Sequence, residues 1–245
     1  MADWRSFFGR MFDSTGVMGL FGAANSRNLQ VEAQVRDLLR EARRKDLWDQ
    51  KLDSLRYVVL DTETTGFNPT EDMILSIGAV EMNGTVICEG KTYHSYISLP
   101  ARKEIPETIT ELTGISMETI ADAPSLKKVL QEFLTFAGDA VLVAHHALHE
   151  MRFLQAAFRR TFRADFSHRF IDTARVAQII GGRERIMTLD ELASVYGIPL
   201  HGRHTAIGDA WITGRVWSCL LQESKKMGIR SLGELLECVS RGFFK

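Results

Sequence analysis

Three short stretches carry residues whose types and spacing could do chemistry. LDTET, residues 60–64, places Asp61 and Glu63 two apart at the end of a β-branched run. In a strand such residues share a face, so two carboxylates would project together and repel unless a cation lay between them. A solvated strand end is the plainer alternative for this pair taken alone. HTAIGDA, residues 204–210, puts His204 five positions ahead of Asp209. A helix starting near Thr205 would hold Asp209 about one turn inside, with the imidazole just before it. That arrangement suits a metal ligand beside a general base, or else a helix-capping histidine with an exposed aspartate. LVAHHALHEMRFL, residues 142–154, gathers His145, His146, His149 and Glu150. His145 and His149 would share a helix face and suggest zinc. No cysteine stands nearby, however, and His145 falls at a strand end, outside the helix.

These residues need a frame. YVVLDTETTG from Arg56 onward reads as a buried strand. Residues 73–82 form a second strand, and Asn83-Gly84 signals a hairpin into a third over 85–97. Pro106 suits a first helical turn and Gly114 a helix end. Helical spacing runs over 125–137, a strand over 140–143, and a helix over 146–162. Phe170-Ile171-Asp172 reads as a last strand leading into a helix. Thr188 with Glu191 and Ser231 with Glu234 are capping boxes, and 206–223 is a long helix. Strands first, then strands alternating with helices, imply an α/β domain with a mixed sheet. An amphipathic helix on Val31, Val35, Leu38, Leu39 and Ala42 precedes it, ending near Trp48 to Leu52. The expected division is a leader and amphipathic helix over 1–54, the α/β domain over 55–224, and a short C-terminal helix and tail over 225–245.

Composition narrows the class. The chain has 245 residues, 45% hydrophobic and 25% charged, with a net charge of -1. A nucleic-acid partner must therefore meet a local basic patch and not the overall field. Residues 152–185 hold eight arginines against Asp165, Asp172 and Glu184. They either track phosphates or form a solvated helix face. Three widely spaced cysteines suggest no disulfide framework, which fits a reducing compartment. No stretch reads as a signal peptide or spanning helix, so the cytoplasm is expected, with no membrane partner. Phe-rich residues 1–30 and Gly242-Phe243-Phe244 could serve as docking segments.

Together, VVLDTETTGF, LVAHHALHEMRFL and HTAIGDA resemble the three exonuclease motifs of the DEDD superfamily in its histidine-bearing branch. The proofreading (epsilon) subunit of bacterial DNA polymerase III belongs to that branch. The likeness spans about Tyr57 to Leu221 and includes LTGI, residues 112–115, and IDT, residues 171–173. It departs at the second motif. His145-His146 stands for a His-Asn pair, His149 for a usual Phe, and Glu150 for an Asp. The resemblance implies a ribonuclease H-like fold with a mixed five-stranded sheet flanked by helices, here with an N-terminal helical extension. It implies a 3′-to-5′ exonuclease releasing nucleoside 5′-monophosphates. Asp61, Glu63, Glu150 and Asp209 would hold two divalent cations, Mg²⁺ or Mn²⁺, and His204 would be the general base. Thr64, Thr65, Phe67 and His146 would meet the terminal nucleotide. The implied partner is a nucleic-acid 3′ end, with single-stranded DNA favoured over RNA, and a DNA polymerase subunit is a further candidate partner. The rival is a nucleic-acid-binding or polymerase-associated module that has lost turnover.

Overall fold

A computed structural model of the chain describes residues 30–43 and 46–241. The aromatic leader before residue 30 and the Gly242-Phe243-Phe244 tail lie outside the described residues. The central sheet has five strands: β1 (Arg56–Thr64), β2 (Ile74–Asn83), β3 (Val86–Tyr96), β4 (Val141–Ala144) and β5 (Phe170–Asp172). Their spatial order is β3-β2-β1-β4-β5. The first three form an antiparallel meander, and β4 and β5 add in parallel on the other side of β1. β1 is therefore central, and its end is where both halves of the sheet meet.

The hairpin between β2 and β3 falls one residue later than its sequence signal. Asn83 is the last residue of β2, and Gly84-Thr85 make the loop. Gly84 takes φ +54 and packs against the Asp53 carbonyl, where a Cβ would collide. The glycine thus occupies the first loop position, where only the residue without a side chain fits.

Helices cover both faces. A helix over residues 30–43 (α1) comes first. Then follow α2 (Glu107–Thr113), α3 (Leu126–Ala137), α4 (Leu148–Phe162), α5 (Thr173–Ile180), α6 (Leu189–Val195), α7 (Ala206–Lys226) and α8 (Leu232–Arg241). On one face, Val216, Trp217, Leu220 and Leu221 of α7 join Tyr57 and Val59 of β1 and Val80 and Met82 of β2 in one core. Tyr57 meets the Trp217 ring edge-on at 5.4 Å, and its hydroxyl donates to the Leu52 carbonyl at 3.0 Å. Alternation sends Val58 and Leu60 to the other face, and both are fully buried.

Three sequence expectations shift. Residues 46–50 are not helical, so no helix runs on to Trp48–Leu52. Those apolar residues are instead tied to the C-terminal segment, with Gly233 N–H donating to the Trp48 carbonyl at 2.8 Å and Leu52 N–H to the Arg230 carbonyl at 2.8 Å. The helix expected from residue 146 begins at Leu148, because His146 adopts φ +58 and breaks the helical path. Finally, the compact body runs from Leu38 through α8, whose Leu232 and Leu235 enter the α7 core, so residues 225–241 do not separate from it. Both expected capping boxes are formed, at Thr188/Glu191 and at Ser231/Glu234.

Candidate active site

The site sits where β1 ends. The burial pattern of β1 leaves Asp61 and Glu63 partly exposed on one face while their neighbours are buried. The N-terminus of α7 lies against that face. Thr205 caps it, its hydroxyl accepting from Gly208 N–H at 3.2 Å, and Asp209 follows in the first turn, 5% exposed. One carboxylate oxygen from each of Asp61, Glu63 and Asp209 lies within 4.8 Å of the others, the one such acidic or metal-type group among the described residues. Glu150, in the first turn of α4, is 3% exposed.

Glu150 stands outside that group of three, but mutual repulsion couples all four acids. Burial, then the charges of Glu150, Asp209 and Glu63, holds the Asp61 carboxyl well above the usual carboxylate range. Burial and Asp209 push Glu63 up to about 7. Glu150 is pushed up to about 8, by burial first and then by Asp172 and Glu63. Asp209 is also raised by burial, against the opposing pull of Arg203 and His204. Asp209 Oδ1 and Glu150 Oε2 are buried with no hydrogen-bond partner among the described residues. Crowded, partly orphaned oxygens are what a hard divalent cation satisfies.

The histidines of the second motif have other partners. His145 Nδ1 pairs with the Thr173 hydroxyl at 3.0 Å, and burial pushes its imidazole down to about 4. His149 packs on Phe153, with ring centroids 4.6 Å apart. No histidine belongs to the metal-type cluster, so the zinc arrangement is not formed. His204 precedes the α7 cap at φ +63, a conformation uncommon for a residue with a side chain.

The proposed nucleotide-contacting residues divide. Thr65 Oγ1 donates to Asp72 Oδ1 and accepts from Met73 N–H, both at 3.0 Å, and Thr64 Oγ1 donates to the Gly66 carbonyl at 2.7 Å. Their hydroxyls build the loop itself. Phe67 is 89% exposed and faces the His149 ring edge at 6.1 Å. With His146, His149, Arg152, Phe170 and Arg175 it lines an open groove of about 750 Å³. His146 N–H donates to Asp172 Oδ1 at 3.1 Å, which fixes the groove wall to the N-terminus of α5.

Three contributors escaped sequence reasoning. Arg203 donates to Asp209 Oδ2 and, through Nε at 2.5 Å, to Asp190 Oδ1. Asp172 both caps α5 and adds its charge near Glu150. Gly208 lies under the Gly202 carbonyl, where a Cβ would collide, so the loop bearing His204 rests on bare backbone. The string GRHTAIGDA held a signal for Arg203 and Gly208 in its proximity to His204, whereas nothing local pointed to Asp172.

A mixed sheet in this order, with acids at the end of its central strand and at a helix opposite, defines a ribonuclease H-like nuclease fold. Residues 58–217 match the RNase_T exonuclease family, and the chain belongs to that family. It is 34% identical over 220 residues to the PolC-type DNA polymerase III of Thermotoga maritima, covering 90% of this chain and 15% of that protein. Against the Staphylococcus aureus PolC-type enzyme it is 31% identical over 188 residues, 76% of this chain and 13% of the other. The chain thus spans about 15% or less of the length of these curated relatives. Among solved structures, the nuclease domain of 3′hExo, a DEDDh family member bound to rAMP, aligns with TM-score 0.61 at 19% identity over 71% of this chain and 94% of that one. Exonuclease X in complex with 5′ overhanging duplex DNA aligns at 0.56 and 18%, over 75% and 99%. E. coli exonuclease I with a dT13 oligonucleotide aligns at 0.61 and 12%, over 71% and 43%. These likenesses establish the shared fold. Among the described residues no helix is long and apolar enough to cross a membrane.

Proposed function

We propose that this chain is a metal-dependent 3′-to-5′ exonuclease that removes nucleoside 5′-monophosphates from single-stranded or frayed DNA ends. The observation that carries this reading is the convergence of Asp61, Glu63 and Asp209 within 4.8 Å, beside the buried Glu150. Asp61, Glu63, Glu150 and Asp209 would hold two divalent cations, Mg²⁺ or Mn²⁺, which would supply an acidified water and charge stabilisation at the leaving 3′ oxygen. His204 accepts the proton of the attacking water from its position before the α7 cap. Phe67 and His149 offer ring surfaces to the terminal base. Arg152 and Arg175, exposed on the groove wall, meet backbone phosphates. Likeness to part of PolC-type polymerases favours DNA over RNA and a polymerase as partner.

A 3′-labelled assay with single-stranded DNA, single-stranded RNA and a mismatched duplex, each with Mg²⁺ and with Mn²⁺, tests the reading. Release of the label from DNA as a nucleoside 5′-monophosphate in the first cleavage is expected. No hydrolysis of any substrate with either metal would remove it. The Arg203–Asp209 pair and the Glu at the second motif favour a second reading, a binding module without turnover. Nucleic-acid binding that ignores EDTA, together with no Mn²⁺ uptake in calorimetry, would select it.

A further inference from the structure

Arg203 is the only guanidinium bonded to a member of the acidic cluster among the described residues. Its side chain is three-quarters buried. A guanidinium presents five donors in a rigid planar fork, so one edge can be anchored while another serves a second anion. Here Nε–H is anchored on Asp190 Oδ1 at 2.5 Å, in the first turn of α6, and Nη1–H donates to Asp209 Oδ2. Among the described residues nothing accepts from Nη2 in a hydrogen bond or ion pair. Nη1 lies 3.4 Å from His204 Nδ1, so this fork borders the imidazole next to it in the chain.

Two of these bonds differ in what they compete with. Asp209 belongs to the cluster that fits divalent cations, and a carboxylate drawn to a doubly charged ion through its unpartnered Oδ1 has less to offer one diffuse positive charge at Oδ2. Asp190 stands outside that cluster and is half-exposed, so metal binding leaves the anchor in place. The freed fork then points beside His204, where the scissile phosphate must lie for that imidazole to serve the attacking water. Three other arginines of the basic stretch are bonded to other partners. Arg159 pairs with Asp165 and Arg185 with Glu191, while Arg183 binds the Ala177 carbonyl.

We propose that Arg203 is a substrate-phosphate ligand held in reserve. It neutralises Asp209 while the acids lack a divalent cation, and it turns the same fork to the terminal phosphodiester once metal has taken Asp209. Asp190 is its positioning residue. This rests on the exonuclease reading above, and its test separates the two.

The experiment uses the full chain in two titrations. Calorimetry with Mn²⁺ alone comes first, then dTMP binding at saturating Mg²⁺. Arg203→Gln removes the internal competitor, so Mn²⁺ should bind roughly 3- to 30-fold tighter, while dTMP binds about 10-fold more weakly for the lost charge-assisted bond. Arg203→Lys keeps the charge without the fork and should fall between. Should Arg203→Gln fail to fold by circular dichroism, Asp190→Asn carries the test. It should weaken dTMP binding and leave Mn²⁺ affinity within about twofold. Unchanged or weaker Mn²⁺ binding by Arg203→Gln, or unchanged dTMP binding, overturns this inference alone. A wild-type chain that takes up no Mn²⁺ overturns the exonuclease reading and this inference with it.

Discussion

Gly78 of β2 lies directly beneath the backbone of Ile207, and a Cβ at position 78 would collide with Ile207 N and the Ala206 carbonyl carbon. Gly78 is also the cross-strand partner of Asp61. The missing side chain therefore sets how close the α7 N-terminus comes to the sheet, and with it the spacing of Asp209 from Asp61. Gly78→Ala should cost about 1–3 kcal/mol of stability, as over-packing does. Activity should fall further, by about 10²-fold, because displacement of a reacting group by about 1 Å is that costly. Thermal melts beside an exonuclease assay check this, and a variant with normal activity would show that α7 is not held by this contact.

Asp61 is more valuable to chemistry than to the fold. Its partly shielded carboxylate is crowded by Glu150, Asp209 and Glu63, so Asp61→Asn removes repulsion while keeping the shape. In EDTA the variant should melt higher than wild type, by about 2–4 °C for each kcal/mol of repulsion relieved. Its hydrolysis should fall at least about 10²-fold, since even residues that only support metal ligands cost about 10–100-fold. Mn²⁺ should raise the melting temperature of wild type and barely move that of Asp61→Asn. Scanning fluorimetry with and without metal is sufficient, and an equal Mn²⁺ shift in both proteins would exclude Asp61 as a ligand.

Glu150 brings one more methylene than aspartate to its position, and its Oε2 has no partner among the described residues. Mg²⁺ demands near-octahedral geometry, whereas Mn²⁺ tolerates more distortion. Glu150→Ala should remove nearly all activity. Glu150→Asp should keep a measurable fraction and change the ratio of Mn²⁺ to Mg²⁺ rates. Steady-state rates with each metal decide it, and an alanine variant as active as wild type would show that Glu150 is no ligand.

Far from the site, buried Glu81 on β2 joins Arg56 at 2.8 Å and Lys91 at 2.7 Å. Burial alone would raise its carboxyl, but the hydrogen bonds from Lys91 and Arg56 win and hold it below the ordinary range. A carboxylate lowered in the folded state stabilises above its unfolded value of about 4.3 and loses that contribution as pH falls through the lower folded value. Glu81→Gln should cost about 1–3 kcal/mol at pH 7. The difference from wild type should shrink as melts are taken from pH 5 down to pH 3. A gap that stays constant over that range would mean the charge of Glu81 is not what stabilises.

What could be read from the sequence was whatever repeats locally. The two-residue spacing of Asp61 and Glu63 placed them on one strand face, and the run from His204 to Asp209 put the acid in the first turn of α7. Capping boxes were legible because both partners lie within one turn. Trp48 and Leu52 misled because apolar residues at helical spacing pack equally well in a chain pinned to another segment, here residues 230–233. The late start of α4 was hidden because left-handed backbone at His146 is stabilised from Asp172, distant in sequence. Arg203 with Asp190, and Gly78 with Ile207, are likewise pairings between elements, and no local pattern announces them.

The acids of the proposed site come from β1, α4 and α7, elements spread over most of the described chain. No contiguous fragment of the chain shorter than nearly the whole domain brings Asp61 to Asp209. Assembly of the acid cluster is therefore expected late in folding, since pairings distant in sequence close late. A chain whose α7 has not reached the sheet cannot bring Asp209 to Asp61, so the acid cluster exists only in the assembled domain.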